Sequence, residues 1–226
     1  MAIVINGDGS ISGISAGGLP TGSVTADTLA TNSVDSDELV SGAIDAGHLA
    51  SGVGGAWTLI GTNVASDSAS LTQTGLDSTY DLYCIAVSDM VPASDNQGLN
   101  LRCGDSGGVD SGASDYAHHS HRSTDDSTAY AGLSDTGRSE MPFGRNGGSA
   151  AGEGVGFIAW LHRPGDGTTF PTFSWSGCSV EADSTISMCA GGGARLSAIT
   201  LDRINVFFTS GNIASGRMTV WGVSHT

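Results

Sequence analysis

The distribution of aromatic residues most constrains what this chain can fold into. Trp57 is the first Trp, Tyr or Phe in 226 residues, and all of the arginines follow it as well. The segment before Trp57 is rich in glycine, and its only formally charged side chains are Asp and Glu. Such a segment cannot bury an ordinary core by itself. We therefore expect residues 57–226 to form the folded domain, after a Gly-rich hinge at residues 51–55.

A ten-residue repeat occupies the segment before the hinge, with units that begin at Gly22, Asn32 and Gly42. Each unit carries two apolar positions, which form one Val/Ile column and one Leu column. The six column residues are Val24, Val34, Ile44, Leu29, Leu39 and Leu49.

These columns have nothing in their own chain to pack against. The simplest arrangement wraps several chains around one axis with the columns facing inward. We therefore predict an extended shaft over residues 21–56, with the six column residues as a trimer core, after an attachment segment at residues 1–20. A linker with coincidental spacing is the alternative.

Charge and composition exclude several classes of protein. The chain contains no lysine and has a formal net charge of −15, so it would repel a phosphate backbone, and we expect no nucleic-acid partner. Its apolar runs are too short for a membrane-spanning helix, and we expect no membrane insertion. The abundance of Gly, Ser, Thr and Asp disfavours a helix bundle.

Short alternating stretches after Trp57 predict a mostly β domain. Arg163–Gly167 has the composition of a tight turn, so Phe157–Ser176 is predicted to be a hairpin. About nine strands on one core favour a jelly-roll-like sandwich of two sheets. The predicted strands are Trp57–Thr62, Ala69–Thr74, Tyr80–Val87, Gly98–Cys103, Ala129–Leu133, Val155–Arg163, Thr172–Gly177, Ile199–Thr209 and Arg217–Ser224.

The long polar stretch Gly104–Ser127 is predicted to be an exposed or inter-subunit loop, because it has few large apolar residues. It gathers aromatic and imidazole side chains, which bind and stack on sugars. We expect a host-surface glycan to contact Tyr116, His119, His121 and Tyr130. On an extended backbone His119 and His121 point the same way, so they could instead meet their symmetry mates at a trimer axis, with or without a metal, or simply be solvated.

Residues that resemble catalytic or metal sites carry little weight here. Gly104–Gly108 (GDSGG) matches the nucleophile region of trypsin-like proteases, but that fold needs an earlier His and Asp, and we expect a turn. Asp105, Asp110 and Asp115 match no established calcium loop. The four cysteines lack a C-x-x-C pair. We expect packed free thiols, with a Cys84–Cys103 disulfide left open, and no catalysis, cofactor or metal.

Both ends of the chain contain motifs that point to a known group of proteins. Gly9–Ile14 (GSISGI), Ala16–Pro20 (AGGLP) and Gly22–Asp27 (GSVTAD) resemble the N-terminal part of tailed-bacteriophage fibres and other virion structural proteins. Ser210–Arg217 (SGNIASGR) and Val220–Val223 (VWGV) are similar to the last two strands of a phage domain.

The resemblance implies a homotrimer with a fibrous shaft and a β-sandwich head, and it carries no catalytic residues. Because a one-dimensional repeat precedes a compact β domain, we expect a tail fibre that is assembled in the host cytoplasm, joins other virion proteins through its N-terminus and recognises the host surface. A capsid-bound head fibre or decoration protein is the alternative. An enzyme of the tailspike type, which degrades polysaccharide, is the alternative of another class. It would need paired carboxylates, whereas the four glutamates form no recognisable pair.

Overall fold

The computed structural model describes residues 4–5, 7, 11–12, 24–25, 29, 31, 34, 39, 44, 48, 56–162 and 167–224. The chain divides into two compact units, Met1–Gly54 and Gly55–Thr226. The division falls two residues before the boundary predicted from the aromatic residues. The predicted hinge at residues 51–55 and most of the predicted attachment segment lie outside the described residues.

The described part of the first unit contains one short antiparallel pair of strands. Strand β1 (Val4–Ile5) pairs with β2 (Ile11–Ser12), with Ile5 opposite Ile11.

The second unit consists of strands joined by turns and loops. They are β3 (Trp57–Ser68), β4 (Leu71–Thr74), β5 (Leu82–Pro92), β6 (Gln97–Asp105), β7 (Gly108–Val109), β8 (Tyr116–Thr124), β9 (Ser127–Arg138), β10 (Met141–Gly147), β11 (Gly154–His162), β12 (Thr172–Val180), β13 (Ile186–Arg195), β14 (Arg203–Phe208) and β15 (Ile213–Val223).

These strands form two antiparallel sheets. The larger sheet has the order β3-β15-β5-β11-β12-β13-β8-β9, and the smaller has the order β10-β6-β14-β4, with β7 beside β6. The predicted mostly β, two-sheet architecture is therefore confirmed. No helix among the described residues is long and apolar enough to cross a membrane.

All nine predicted strands are present, although several differ in length. The predicted hairpin is confirmed, since β11 and β12 pair antiparallel from Gly154 opposite Val180 to His162 opposite Thr172. Its turn at residues 163–166 lies outside the described residues. Four strands of the second unit were not predicted, β7, β8, β10 and β13, nor was the short β1–β2 pair of the first unit.

The core lies between the two sheets and is built by alternation. On β5 the side chains of Tyr83, Ile85 and Val87 are buried, as a strand with one face on the core requires. The side chain of Phe143 on β10 packs against the larger sheet, where its ring centroid lies 4.0 Å from that of Phe157 and 5.2 Å from that of Trp175. Such aromatic contacts stabilise a core beyond the apolar area they bury.

Glycines in β13 allow close packing that larger residues would prevent. A Cβ atom at Gly191 would lie 2.7 Å from the His119 carbonyl oxygen and 2.7 Å from a ring carbon of Trp175. At Gly193 it would lie 2.7 Å from the Ala117 carbonyl oxygen. The glycine run is part of a strand that was not predicted, and its neighbours occupy the space that side chains would otherwise fill.

Candidate functional site

The repeat columns are uncovered in the single chain. Val24, Leu29, Val34, Leu39 and Ile44 have relative exposures of 55, 46, 48, 41 and 47 %. Leu49, the sixth predicted column residue, lies outside the described residues. The described column side chains are thus available for contact with other chains, and the trimer core stays a prediction.

Strand β8 places its histidines on opposite faces. His119 and His121 point outward, as predicted, and their Nε2 atoms are 3.1 Å apart. Their rings meet edge to face, with centroids 4.7 Å apart. The residues paired with them on β13 and β9 are small (Gly192 and Ala190, Ser134 and Gly132), so both imidazoles stay exposed.

A cleft beside His119 forms the first candidate recognition surface. This histidine cleft has a volume of about 490 Å³ and is lined by Ala117–His119, Ser134–Thr136 and Gly192–Ala194. Tyr130 on β9 is 78 % exposed. His119, His121 and Tyr130 are therefore accessible, as glycan contact requires, and their role stays a prediction.

Tyr116 does not belong with the predicted receptor-binding residues, because it is a core residue. Its side chain is fully buried, and its hydroxyl accepts a hydrogen bond from the Cys103 N–H group at 3.0 Å. The same hydroxyl lies within donating distance of the carbonyl oxygens of Cys103 (2.9 Å) and Asp110 (3.0 Å). Burial raises the pKa of the Tyr116 hydroxyl. Burial also raises the pKa of the Cys103 thiol, to about 12. A residue in this position cannot contact a receptor, so including Tyr116 was wrong.

The segment Gly104–Ser127 is also not the exposed loop that its composition predicts. Arg195 holds it against β13: the Arg195 Nε atom donates to Asp110 at 2.9 Å, and Nη2 lies 3.4 Å from Asp115. The Leu196 N–H group donates to the Asp115 carbonyl oxygen. The segment then continues as β8. Asp110 and Asp115 are engaged with a guanidinium, which leaves the weak calcium alternative without support.

The GDSGG motif forms the turn between β6 and β7, as expected. Its Ser106-Gly107 corner is exposed, and the Gly107 N–H group donates to the Asp105 carboxylate at 2.7 Å. All four cysteines are free thiols. Cys84, Cys103 and Cys189 are buried, as expected of packed thiols, whereas Cys178 is exposed. No group of three or more His, Cys, Asp or Glu side chains in the described part of the chain is arranged to hold a metal ion.

A second cleft opens at the edge where strands β8 and β9 of the larger sheet approach β6 and β10. This arginine cleft has a volume of about 280 Å³, and its polar lining includes Asn100, His118, Arg122, Arg138, Asn146 and Thr209. His118 is buried, and burial together with the nearby Arg138 charge lowers its pKa. This cleft was not predicted from the sequence. The available signal was the period of two, which places Arg122 on the same face as His118.

The outer face of the larger sheet, turned away from the smaller sheet, is apolar and uncharged over much of its area. Its exposed apolar side chains include Trp57, Leu59, Ile158, Ile186 and Met188. Trp57 meets Trp160 and Trp221 edge to face, with centroids 5.6 and 6.3 Å away. Strands β8, β11, β12, β13 and β15 contain no Asp or Glu, in a chain whose net charge is −15.

Comparison with protein-family models, with curated proteins and with solved structures found no match to this chain.

Proposed function

We propose that this chain is a structural fibre protein of a tailed-bacteriophage virion, a tail fibre without catalytic activity. In this proposal residues 1–20 attach to other virion proteins, and the repeat forms a homotrimeric shaft. The jelly-roll-like head contacts the host surface. The observation that carries the proposal is the exposure of the described column residues, 41–55 % each, at a constant ten-residue spacing.

That observation favours assembly because the columns are regular as well as exposed. Scattered exposed apolar side chains are normal on a monomer, whereas periodic ones that carry a Val/Ile and a Leu position in every unit suit a shared axis. Copies of the same chain provide the matching periodicity without any other partner.

The outer face of the head is a second surface suited to contact between copies. Two surfaces that both carry excess Asp and Glu repel each other, since the chain has no lysine and only eight arginines to pair with 23 acids. Five acid-free strands remove that repulsion. At about 4.8 Å between strands and 3.3 Å per residue, five strands of about nine residues cover roughly 700 Å², close to the area of about 800 Å² on one side of a specific interface.

Host contact is assigned to His119, His121 and Tyr130, because these polar and aromatic groups are exposed on the head. A capsid-bound head fibre would share the same shaft and head, and would differ in what its N-terminus binds. Electron microscopy of virions labelled with an antibody to residues 57–226 distinguishes the two, and virions that bind no antibody would contradict a virion location.

The shaft is tested with Leu39→Asp in the full chain. The variant places three carboxyl groups in one apolar layer of the proposed trimer, where burying each charge is unfavourable. We expect sedimentation velocity to show a trimer for the natural chain and a monomer for the variant. The matched control is Thr31→Asp, which adds the same charge at an exposed repeat position outside the columns. A Leu39→Asp variant that trimerises as strongly as Thr31→Asp, at every concentration measured, would exclude the columns as the shaft core.

A further inference from the structure

The arginine cleft contains most of the unpartnered buried nitrogen atoms that the structure describes. Four buried side-chain polar atoms in the described residues have no hydrogen-bond partner: His118 Nδ1, Arg122 Nε, Arg138 Nε and Trp175 Nε1. The first three belong to residues that line this cleft. Buried polar atoms are nearly always paired in native proteins. The two arginine Nε–H groups can only donate, and His118 Nδ1 donates in one of its two tautomers. These atoms therefore indicate a missing partner that accepts hydrogen bonds.

Charge indicates which kind of partner is missing. The chain has eight arginines and 23 acids, yet two of those arginines line this one cleft. Arg122 forms no ion pair with any described residue, whereas Arg138 lies 3.1 Å from Glu140 and 3.5 Å from Asp135. Asp135 is the one acidic residue in the lining. The guanidinium of Arg122 is therefore the uncompensated charge of the cleft.

Glu140 does not supply the missing acceptor, because it is already engaged with other groups. Arg102 Nη2 donates to one of its carboxylate oxygens at 3.1 Å, and Ser139 donates to the same oxygen. Burial opposes ionisation of Glu140, but these hydrogen bonds outweigh it and lower its pKa.

We propose that the arginine cleft, which His118 and Arg138 also line, binds an oxyanion, a carboxylate, sulfate or phosphate group, through the guanidinium of Arg122. A planar guanidinium matches the paired oxygens of such groups. The acidic saccharides of a cell surface carry these groups. That source rests on the proposed function, whereas the oxyanion site itself does not.

The experiment titrates the full chain with glucuronate, sulfate and phosphate, and with glucose as the neutral control for glucuronate. Arginine Nε–H signals of the ¹⁵N-labelled protein report directly on the unpartnered donors. We expect the Arg122 and Arg138 signals to shift saturably with the oxyanions and to stay unchanged with glucose. Tighter binding of glucuronate than of phosphate supports a saccharide source, and the reverse supports free phosphate; either one supports the site.

The matched variants are Arg122→Gln and Arg217→Gln. Arg217 is an exposed arginine on β15, away from the cleft. Loss of a charge-assisted hydrogen bond should weaken oxyanion binding by roughly tenfold in Arg122→Gln and leave it unchanged in Arg217→Gln. Absence of a saturable shift in the natural chain would overturn the site without requiring any variant to fold. Equal weakening by both variants would mean that binding depends on the overall charge of the chain, and it would also overturn the site. If the chain bound oxyanions but were monomeric, the oxyanion site would be supported and the proposed trimeric fibre would be refuted.

Discussion

The Tyr116 hydroxyl occupies a gap in the smaller sheet, and its removal should be costly. On one side of β6, the pairing with β10 reaches Leu101 opposite Met141, and the pairing with β7 begins at Gly104 opposite Val109. Cys103 lies between these two pairings, and its N–H group donates to the Tyr116 hydroxyl at 3.0 Å. A side chain thus replaces the missing strand partner.

The magnitude of the Tyr116→Phe effect follows from which groups lose their partners. The Cys103 carbonyl oxygen also accepts from the Asp110 N–H group at 2.9 Å, so it stays paired. The Cys103 N–H group is left buried without an acceptor, which costs about 1–3 kcal/mol. For a domain of this size, each 1 kcal/mol corresponds to a fall in melting temperature of about 2–4 °C.

Tyr83→Phe provides a matched control. The Tyr83 hydroxyl accepts from the Asp77 N–H group at 2.8 Å and is 2.9 Å from the Asp77 carbonyl oxygen. Asp77 lies in an exposed turn, so water can replace the lost hydroxyl, and the expected cost is about 0.5–1.5 kcal/mol. Both substitutions delete one buried phenol oxygen and differ in what they leave unpaired.

Urea unfolding at one protein concentration measures the difference, since association would otherwise shift apparent stability. We expect Tyr116→Phe to lower the free energy of unfolding more than Tyr83→Phe, with unchanged denaturant dependence. A cost for Tyr83→Phe equal to or greater than that for Tyr116→Phe would refute the argument that the Cys103 N–H group depends on this hydroxyl.

Two further predictions concern the thiols and the pH dependence of stability. Cys178 is the exposed thiol on the outer face, and the other three cysteines are buried. At a total chain concentration about ten times the dissociation constant for pairing through that face, one chain in five has the face uncovered, and alkylation of Cys178 should slow roughly fivefold. The control is Ser94→Cys in a Cys178→Ser background, whose new thiol is exposed in a loop and should react at its full rate. Equal protection of both thiols, or of neither, would exclude the face as the interface. Burial raises the pKa of Tyr83 and that of Cys103 to about 12 each. Above about pH 9–10 the unfolded chain therefore loses protons that the folded chain retains, so the free energy of unfolding should fall as pH rises. Urea midpoints that stay constant from about pH 8 to 11 would contradict this.

The alternation rule predicts strands well where one face is packed on the core. It also predicts correctly that His119 and His121 share a face of β8. Applied to Tyr116, the same rule places that residue opposite His119, because three positions separate them along a strand. The prediction that grouped Tyr116 with the histidines treated this stretch as a loop, and its polar composition concealed the strand.

Cys84 shows what alternation alone misses. By parity it points to the outer face of the larger sheet, between Tyr83 and Ile85, which are both buried in the core. It is nevertheless 4 % exposed, because it pairs with Trp160 on β11 and Trp221 on β15. Burial of Cys84 therefore depends on which strands are neighbours, and strand order is a long-range property that the local period does not contain.

The arginine cleft was missed for the same reason, since its lining comes from β6, β8, β9, β10 and the end of β14. A single sequence shows Arg122 and Arg138 as two basic residues sixteen positions apart, and neither has a local signature. Only the pairing of β8 with β9 brings Arg122 beside Ala131 and leads the chain back toward Arg138 near Tyr116. Because basic residues are scarce in this acidic chain, each arginine is a candidate binding residue, but their scarcity does not indicate where any of them lies in the fold.

The two acid-poor surfaces of the head should respond to salt in opposite directions, which separates assembly from ligand binding. Copies that meet through the outer face still carry their other carboxylates, and added salt screens that repulsion beyond about 8–10 Å. Salt should therefore strengthen Cys178 protection. An oxyanion at Arg122 is attracted by a charge that is only partly buried, so the same salt should weaken glucuronate binding. If both measurements weakened together, association would depend on ion pairs, and the acid-free face would not be the surface through which copies meet.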